Sequence, residues 1–343
     1  MARYLGSRLV QALLVLWAAF TVSFGVLYLL PSDPVSIAVD GAGSGTPVDA
    51  AAVAQLQERY GLDRPLSGQY LTALSNAVRG DFGISIVTGQ PVTEAIAAAV
   101  PSTLALAAVA LALAVLLGTS IAFVATYTRA RWLRSTLFSL PPLGVAVPTF
   151  WVGLLLLQLF SFRMKLLPAF GDQGIEHLVL PAITLALPTG AVIAQVLAAS
   201  LQTTWRQPFV EAARAKGASR WRIQTRHTLR LSSIPAFTIA GVTVGNLLAG
   251  SVVVETVFSR AGVGRLTQTS VLAQDIPVVQ GIVVFSAVIF VLVNLAVDLV
   301  YPLIDPRIVD GRRGGGSPSH PTPAEVTTEL TGFAVEEERK AHV

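Results

Sequence analysis

The side chains that could do chemistry in this sequence are a few carboxylates, arginines and histidines, and their spacing limits what that chemistry could be. Glu255 stands just past the end of a long apolar run, with Arg260 and Arg265 close behind it. An ionisable group at such a depth is costly and either pairs or lines a path. The two arginines are its expected partners, and a place on a solute path is the alternative. Asn294 and Asp298 fall on one helix face near the end of another apolar run. Hydrogen bonding between helices and snorkelling to the interface are their expected roles, with lining of the same path as the other reading. His177, His227, His320 and His342 are scattered, with no i,i+3 or i,i+4 partner of the kind a metal site uses. The chain has no cysteine, which excludes disulfides and any thiolate ligand or nucleophile. It has no G-x-x-x-x-G-K-[ST] to cradle nucleotide phosphates. Neither a catalytic group nor a metal or other cofactor of its own is expected.

The elements that must position these residues are membrane spans. Of 343 residues, 53% are hydrophobic and only 13% charged, and mean hydropathy is +0.64. A span needs about 20 apolar residues to cross a hydrocarbon core of roughly 30 Å. Six stretches free of Asp, Glu, Lys and Arg meet that length: 10–30, 104–127, 136–162, 178–205, 231–254 and 276–297. The fold class is therefore all-α and polytopic, with six transmembrane helices. The first could also be a signal peptide, given Arg3, Arg8 and the small residues Ser36 to Ala38, but it is longer than a signal h-region of about 7–15 residues and is read as retained. With both termini cytoplasmic, 17 of the 24 Lys and Arg fall on the inside, as the positive-inside rule favours. That also accounts for a pI near 9.7 without nucleic acid.

Four segments follow: 1–30, the cytoplasmic N-terminus and first span; 31–103, an extracytoplasmic segment; 104–308, a core of five spans; and 309–343, a tail. In 31–103, the pieces 49–61 and 67–80 carry apolar residues at helical spacing, Val53, Leu56 and Tyr60, then Leu71, Leu74 and Val78, and predict short amphipathic helices on the membrane surface. Arg79-Gly80-Asp81 reads as a plain turn. The tail is rich in Gly, Pro, Ser, Thr and Glu and reads as disordered. Prolines recur within the spans, at 141, 142, 148, 181, 188 and 235. Each removes an amide donor and loosens a turn, which suits either a kinked packing helix or a helix lining a path that changes shape. Gly241 and Gly245 form a G-x-x-x-G that permits close helix approach, within this chain or against a second one.

The most basic loop, 206–230, lies between the fourth and fifth spans. Within it FVEAARAKGASRWRIQTRHTLR divides at Gly217 into two short helical pieces. Gly suits the left-handed position that ends a helix, and Ser219 can cap the next. The result is an elbow. Ala212, Ala213 and Ala215 keep its first piece narrow, so that another protein could approach the backbone, while Glu211 favours the helix dipole and is expected to pair with Arg214. Arg222, Arg226 and Arg230 recur every four residues as a basic stripe suited to anionic headgroups, and Trp221 is an interfacial anchor. An ordinary basic loop that only fixes topology would carry the same charge.

The elbow resembles the EAA loop of ABC importer permeases, with Glu211-Ala212-Ala213, three residues, then Gly217. The family's Ile-x-Leu-Pro comes sooner than Ile234-Pro235 here, a departure similar to the peptide/nickel branch. LLPSDP (29–34), YGLDRPLSGQY, RGDFG, TGQPVTE, VPTFWVGLLLL, GNLLAGSVVVETVFSRAGVGRL and VNLAVDLVYPLIDPR agree with that branch in order. Together they cover nearly all of 4–308. Gln195 and Ala198 stand where relatives commonly carry basic residues. The resemblance implies an importer permease of the dipeptide/oligopeptide/nickel type in a bacterial or archaeal cytoplasmic membrane. It implies pairing with a second homologous permease, two ATPase subunits that hold ATP and Mg, and an extracytoplasmic binding protein. Glu211, Ala212, Ala213, Arg214, Gly217 and Arg222 would form the coupling helix loop. An ion-coupled secondary transporter is the alternative; it would need an ionisable or unwound site at mid-membrane, often within inverted repeats. The spans hold no mid-depth carboxylate. An intramembrane enzyme would need a Ser, Asp or His constellation that the spans lack.

Overall fold

The computed structural model describes residues 2–29 and 65–304. The expected amphipathic piece 49–61 and the tail 309–343 lie outside the described residues. Among those described there are ten helices and no strand: α1 (Ala2–Leu29), α2 (Leu66–Val78), α3 (Val92–Tyr127), α4 (Arg131–Ala146), α5 (Thr149–Arg163), α6 (Glu176–Trp205), α7 (Pro208–Ala215), α8 (Arg220–Val257), α9 (Val263–Leu272) and α10 (Ile276–Ile304). Of the described residues, those through Asp298 form one compact unit. Five helices, α1, α3, α6, α8 and α10, are long and apolar enough to cross a membrane.

The expected span 136–162 is not one helix. α4 and α5 meet at a bend of 103°, and they count as a sixth span only if taken as a broken pair. The break follows from Pro148, whose ring disfavours the helical region for the residue before it. Val147 is accordingly extended, at φ −79°, ψ 129°, and Pro148 begins the next helix. Pro101, Pro141, Pro142, Pro181, Pro188 and Pro235 all lie within helices that continue through them. α3 also begins earlier than its apolar run, at Val92, because Glu94 sits in its first turn, where a carboxylate is favourable.

α3 and α6 form the centre of the packing. Ala110, Ala114, Gly118 and Ala122 make a buried stripe of small residues on α3, and Ala182, Ala186, Gly190, Ala194 and Ala198 make its counterpart on α6. A Cβ at Gly118 would lie 2.6 Å from the Gly190 carbonyl oxygen, and one at Gly190 would lie 3.0 Å from that of Ala114. Small residues let backbones approach in this way where lipid removes any hydrophobic drive between helices. Gly245 serves α8 similarly: a Cβ there would lie 2.9 Å from the Phe290 ring on α10. Gly241 is half-buried one turn away. α2 leans on α1, where Tyr70 meets Phe20 and Phe24 edge-on and its hydroxyl bonds Thr21 at 2.9 Å.

Candidate functional site

At one end of the bundle, Gln207 is extended, Pro208 opens α7, and Glu211 lies in its first turn. Gly217 closes the helix at φ +80°. Its N–H donates to the Arg214 carbonyl at 2.9 Å and that of Ala218 to Ala213 at 3.1 Å, the paired bonds of a Schellman ending. A Cβ at Gly217 would meet nothing within 4 Å, so glycine is required there by backbone conformation and not by space. Ser219 caps the next helix, its Oγ accepting from the Arg222 N–H at 3.3 Å. Val210 is the one buried residue of α7. Glu211, Ala212, Arg214 and Ala215 are exposed, Ala213 is half-buried, and Arg222 is exposed on the next turn. The expected Glu211–Arg214 pair does not form: Arg214 lies over the Trp205 ring, 5.5 Å from its centroid, because an indole face is within reach of the guanidinium.

Two residues that the sequence did not single out fasten this elbow. Arg220 lies between the Tyr127 and Trp205 rings, 5.4 and 5.5 Å from their centroids, and its Nη2 donates to the Thr126 carbonyl at 3.1 Å. Gln224 is fully buried, and its Nε2 donates to the Phe123 carbonyl and to Thr126 Oγ1, both at 2.9 Å. The segment Ile223–Thr228 is wound as a π-helix; Arg226 lies within it, and Arg222 and Arg230 flank it. All three are exposed. Trp221 is exposed too, with Phe123 and Tyr127 edge-on to it. Gln224 carries no signal in sequence: among Arg, Thr and His it reads as another polar loop residue.

At the opposite end, Glu255 is fully buried, but not as the partner of an arginine side chain. Oε1 accepts from the Thr103 hydroxyl at 2.7 Å, and Oε2 accepts from the backbone N–H groups of Gly264 and Arg265 at 2.8 and 3.2 Å. Thr103 Oγ1 in turn accepts from the Val263 N–H at 2.8 Å. These amides open α9, whose own N-cap position is Gly262 and offers no side-chain oxygen. Glu255 and Thr103 therefore supply the cap from neighbouring helices, satisfying donors the helix leaves unpaired. A Cβ at Gly262 would overlap the Glu255 carboxylate, and one at Gly264 would lie 2.5 Å from Val252 Cα. The arginines go elsewhere. Arg260 is 3% exposed and donates to the His177 carbonyl and Ser102 Oγ, both at 3.0 Å. Burial lowers its pKa, against the opposing pull of Asp172 and Glu255. Arg265 Nη1 donates to the Ser259 carbonyl at 2.8 Å.

Asn294 donates to the Phe290 carbonyl of its own helix at 2.8 Å, not across to another helix as expected. Asp298 is on α10, but its side chain lies outside the described residues. Asp275, which the sequence did not mark, is buried and bonds the Ser85 hydroxyl and the Ile86 N–H. It fixes the loop that joins α2 to α3, whose RGDFG and TGQPV stretches supply left-handed glycines at 80, 83 and 89.

The sequence matches the description of a binding-protein-dependent transport system inner membrane component over residues 114–310, and that of the N-terminal part of such components over residues 1–107. The glutathione transport system permease protein GsiC of Escherichia coli strain K12 is 35% identical over 308 residues, covering 90% of this chain and 99% of the relative. GsiC of Shigella flexneri serotype 5b matches to the same extent. Among solved structures, the inward-facing MetNI methionine ABC transporter in its CY5 native crystal form superposes with a TM-score of 0.53 at 17% identity, covering 62% of this chain and 97% of that one. Its CY5 SeMet soak form gives 0.54 at 18% identity, covering 61% and 96%. At such identity the likeness is one of fold.

Proposed function

The chain belongs to the family of binding-protein-dependent transport system inner membrane components, and from that premise we propose that it is an importer permease carrying peptides or related small solutes, such as nickel chelates, driven by ATP hydrolysed elsewhere. It is a multi-pass inner-membrane transport subunit and not an enzyme. The peptide class is supported by the GsiC relatives, named for glutathione transport. The observation that carries the mechanism is the elbow: a short, narrow, exposed helix, closed by a left-handed glycine and set at the end of the bundle where basic residues concentrate. The positive-inside rule places that end in the cytoplasm, beside two ATPase subunits. A second permease across the membrane-embedded face and a binding protein on the far side complete the assembly.

In this reading, closure of the ATPases pushes α7. Ala212 and Ala213 admit the partner's surface, Glu211 and Arg214 give it charge to pair with, and Gly217 and Arg222 hold the elbow's far arm. The helices then rock between inward-facing and outward-facing states. Asn294 and Asp298 remain candidates for the solute path on α10. Both oxygens of Glu255 are taken by Thr103 and α9, which favours a structural role for it. The test is purification through a tag on this chain, followed by uptake in proteoliposomes. P-loop ATPases and a second permease are expected to co-purify. Glu211→Ala and Gly217→Val are expected to cut ATP-driven uptake about tenfold or more. Full uptake by both variants in an intact complex would remove the coupling assignment.

A further inference from the structure

A push on α7 reaches the bundle through the contacts that fasten the elbow, and beyond Val210, the buried residue of α7, its second arm is tied down as well. The fastening runs to α3. The last carbonyls of a helix have no partners within it, and Thr126 is in the last turn of α3. Arg220 takes the Thr126 carbonyl, and Gln224 takes the Thr126 hydroxyl and the Phe123 carbonyl. Arg220 also puts positive charge at the negative end of the α3 dipole. Its guanidinium lies against Tyr127, the last residue of α3, and Trp205, the last residue of α6. One side chain thus joins the elbow to the ends of both central helices. Local π winding, over Ile223–Thr228 here, is a feature frequent at functional sites.

We propose that Arg220 and Gln224 are positioning residues for coupling, which bind the elbow to the end of α3 so that elbow, α3 and α6 move as one body. This rests on the importer reading above. Neither residue is assigned contact with solute or nucleotide. The motion would reach the far end as well, because Thr103 on α3 holds the Glu255 carboxylate and the first amide of α9.

This chain has no cysteine, so introduced cysteines are the only thiols it contributes, and the test is run in a complex reconstituted with cysteine-free partner subunits. Uptake per ATP hydrolysed is compared for the parent, Gln224→Met and Thr126→Val, the second serving if the first fails to assemble. In parallel, spin labels on Lys216→Cys and Val124→Cys, both exposed, report the separation of elbow and α3 with and without ATP. The expected result is hydrolysis within about twofold of the parent but uptake per ATP lowered about fivefold or more. One narrow separation, unchanged by ATP, is expected in the parent and a broadened one in Gln224→Met. Unchanged uptake per ATP in both variants, or a parent separation that shifts on ATP binding, overturns the proposal while leaving the importer reading standing. A parent that hydrolyses ATP but moves no peptide defeats the substrate reading instead, and the label separations still decide whether elbow and α3 move together.

Discussion

Glu255 shows how a single residue can be located by sequence and still be assigned the wrong partner. Its depth marks it as a group that must be satisfied, and Arg260 and Arg265 are the charges nearest in the chain. The geometry satisfies it with a hydroxyl and two amides instead, because Gly262 and Gly264 let the start of α9 close over the carboxylate. Glu255→Ala strips acceptors from three donors, of which the Thr103 hydroxyl and the Gly264 N–H are buried. A buried group left unsatisfied costs about 1–3 kcal/mol, so the variant is expected to unfold at clearly lower temperature in detergent. Glu255→Gln keeps one acceptor oxygen and should lose less. Were Glu255→Ala to melt with the parent, the capping role would be refuted. Arg265 takes part through its backbone, which no pattern of side-chain types can reveal.

Between elements, the decisive contacts are backbone to backbone. α3 and α6 meet along stripes of Ala and Gly, with Gly118 against the Gly190 carbonyl, and the packing depends on size, not polarity. Gly118→Leu would force the pair apart and is expected to abolish a monodisperse peak in fluorescence-detected size exclusion. Gly6→Leu on α1, where a Cβ meets nothing within 4 Å, should leave the peak intact. A normal peak for Gly118→Leu would contradict the close crossing. The stripe on each helix is visible in sequence as small residues every four positions, but which two stripes face each other is not. The α4–α5 bend was legible only as a proline. Pro148 breaks its helix, with Val147 extended before it, while α4 continues through Pro141 and Pro142, and residue type alone does not separate the two cases.

At the scale of the whole molecule, the uneven placement of Lys and Arg sets an orientation that one experiment checks. Single cysteines introduced as Ala215→Cys on α7 and Thr269→Cys on α9, both exposed, are treated with a membrane-impermeant thiol reagent in intact cells lacking an outer barrier. Thr269→Cys is expected to label at once, and Ala215→Cys only after permeabilisation; the reverse pattern would invert the topology. Such global properties were open to the sequence because they depend on composition summed over long windows. Length and hydropathy determine that helices cross a membrane, charge asymmetry favours a direction, and the order of short motifs marks the family. The local elbow was also legible, since a helix ending at Gly217 and a cap at Ser219 depend on residues within one turn. Partners brought together from distant positions were decided by the tertiary structure alone. Gln224 with Phe123, Glu255 with Thr103, and Asp275 with Ser85 each join polar groups far apart in the chain. Away from water, a buried polar group must take whichever partner the packing brings within reach.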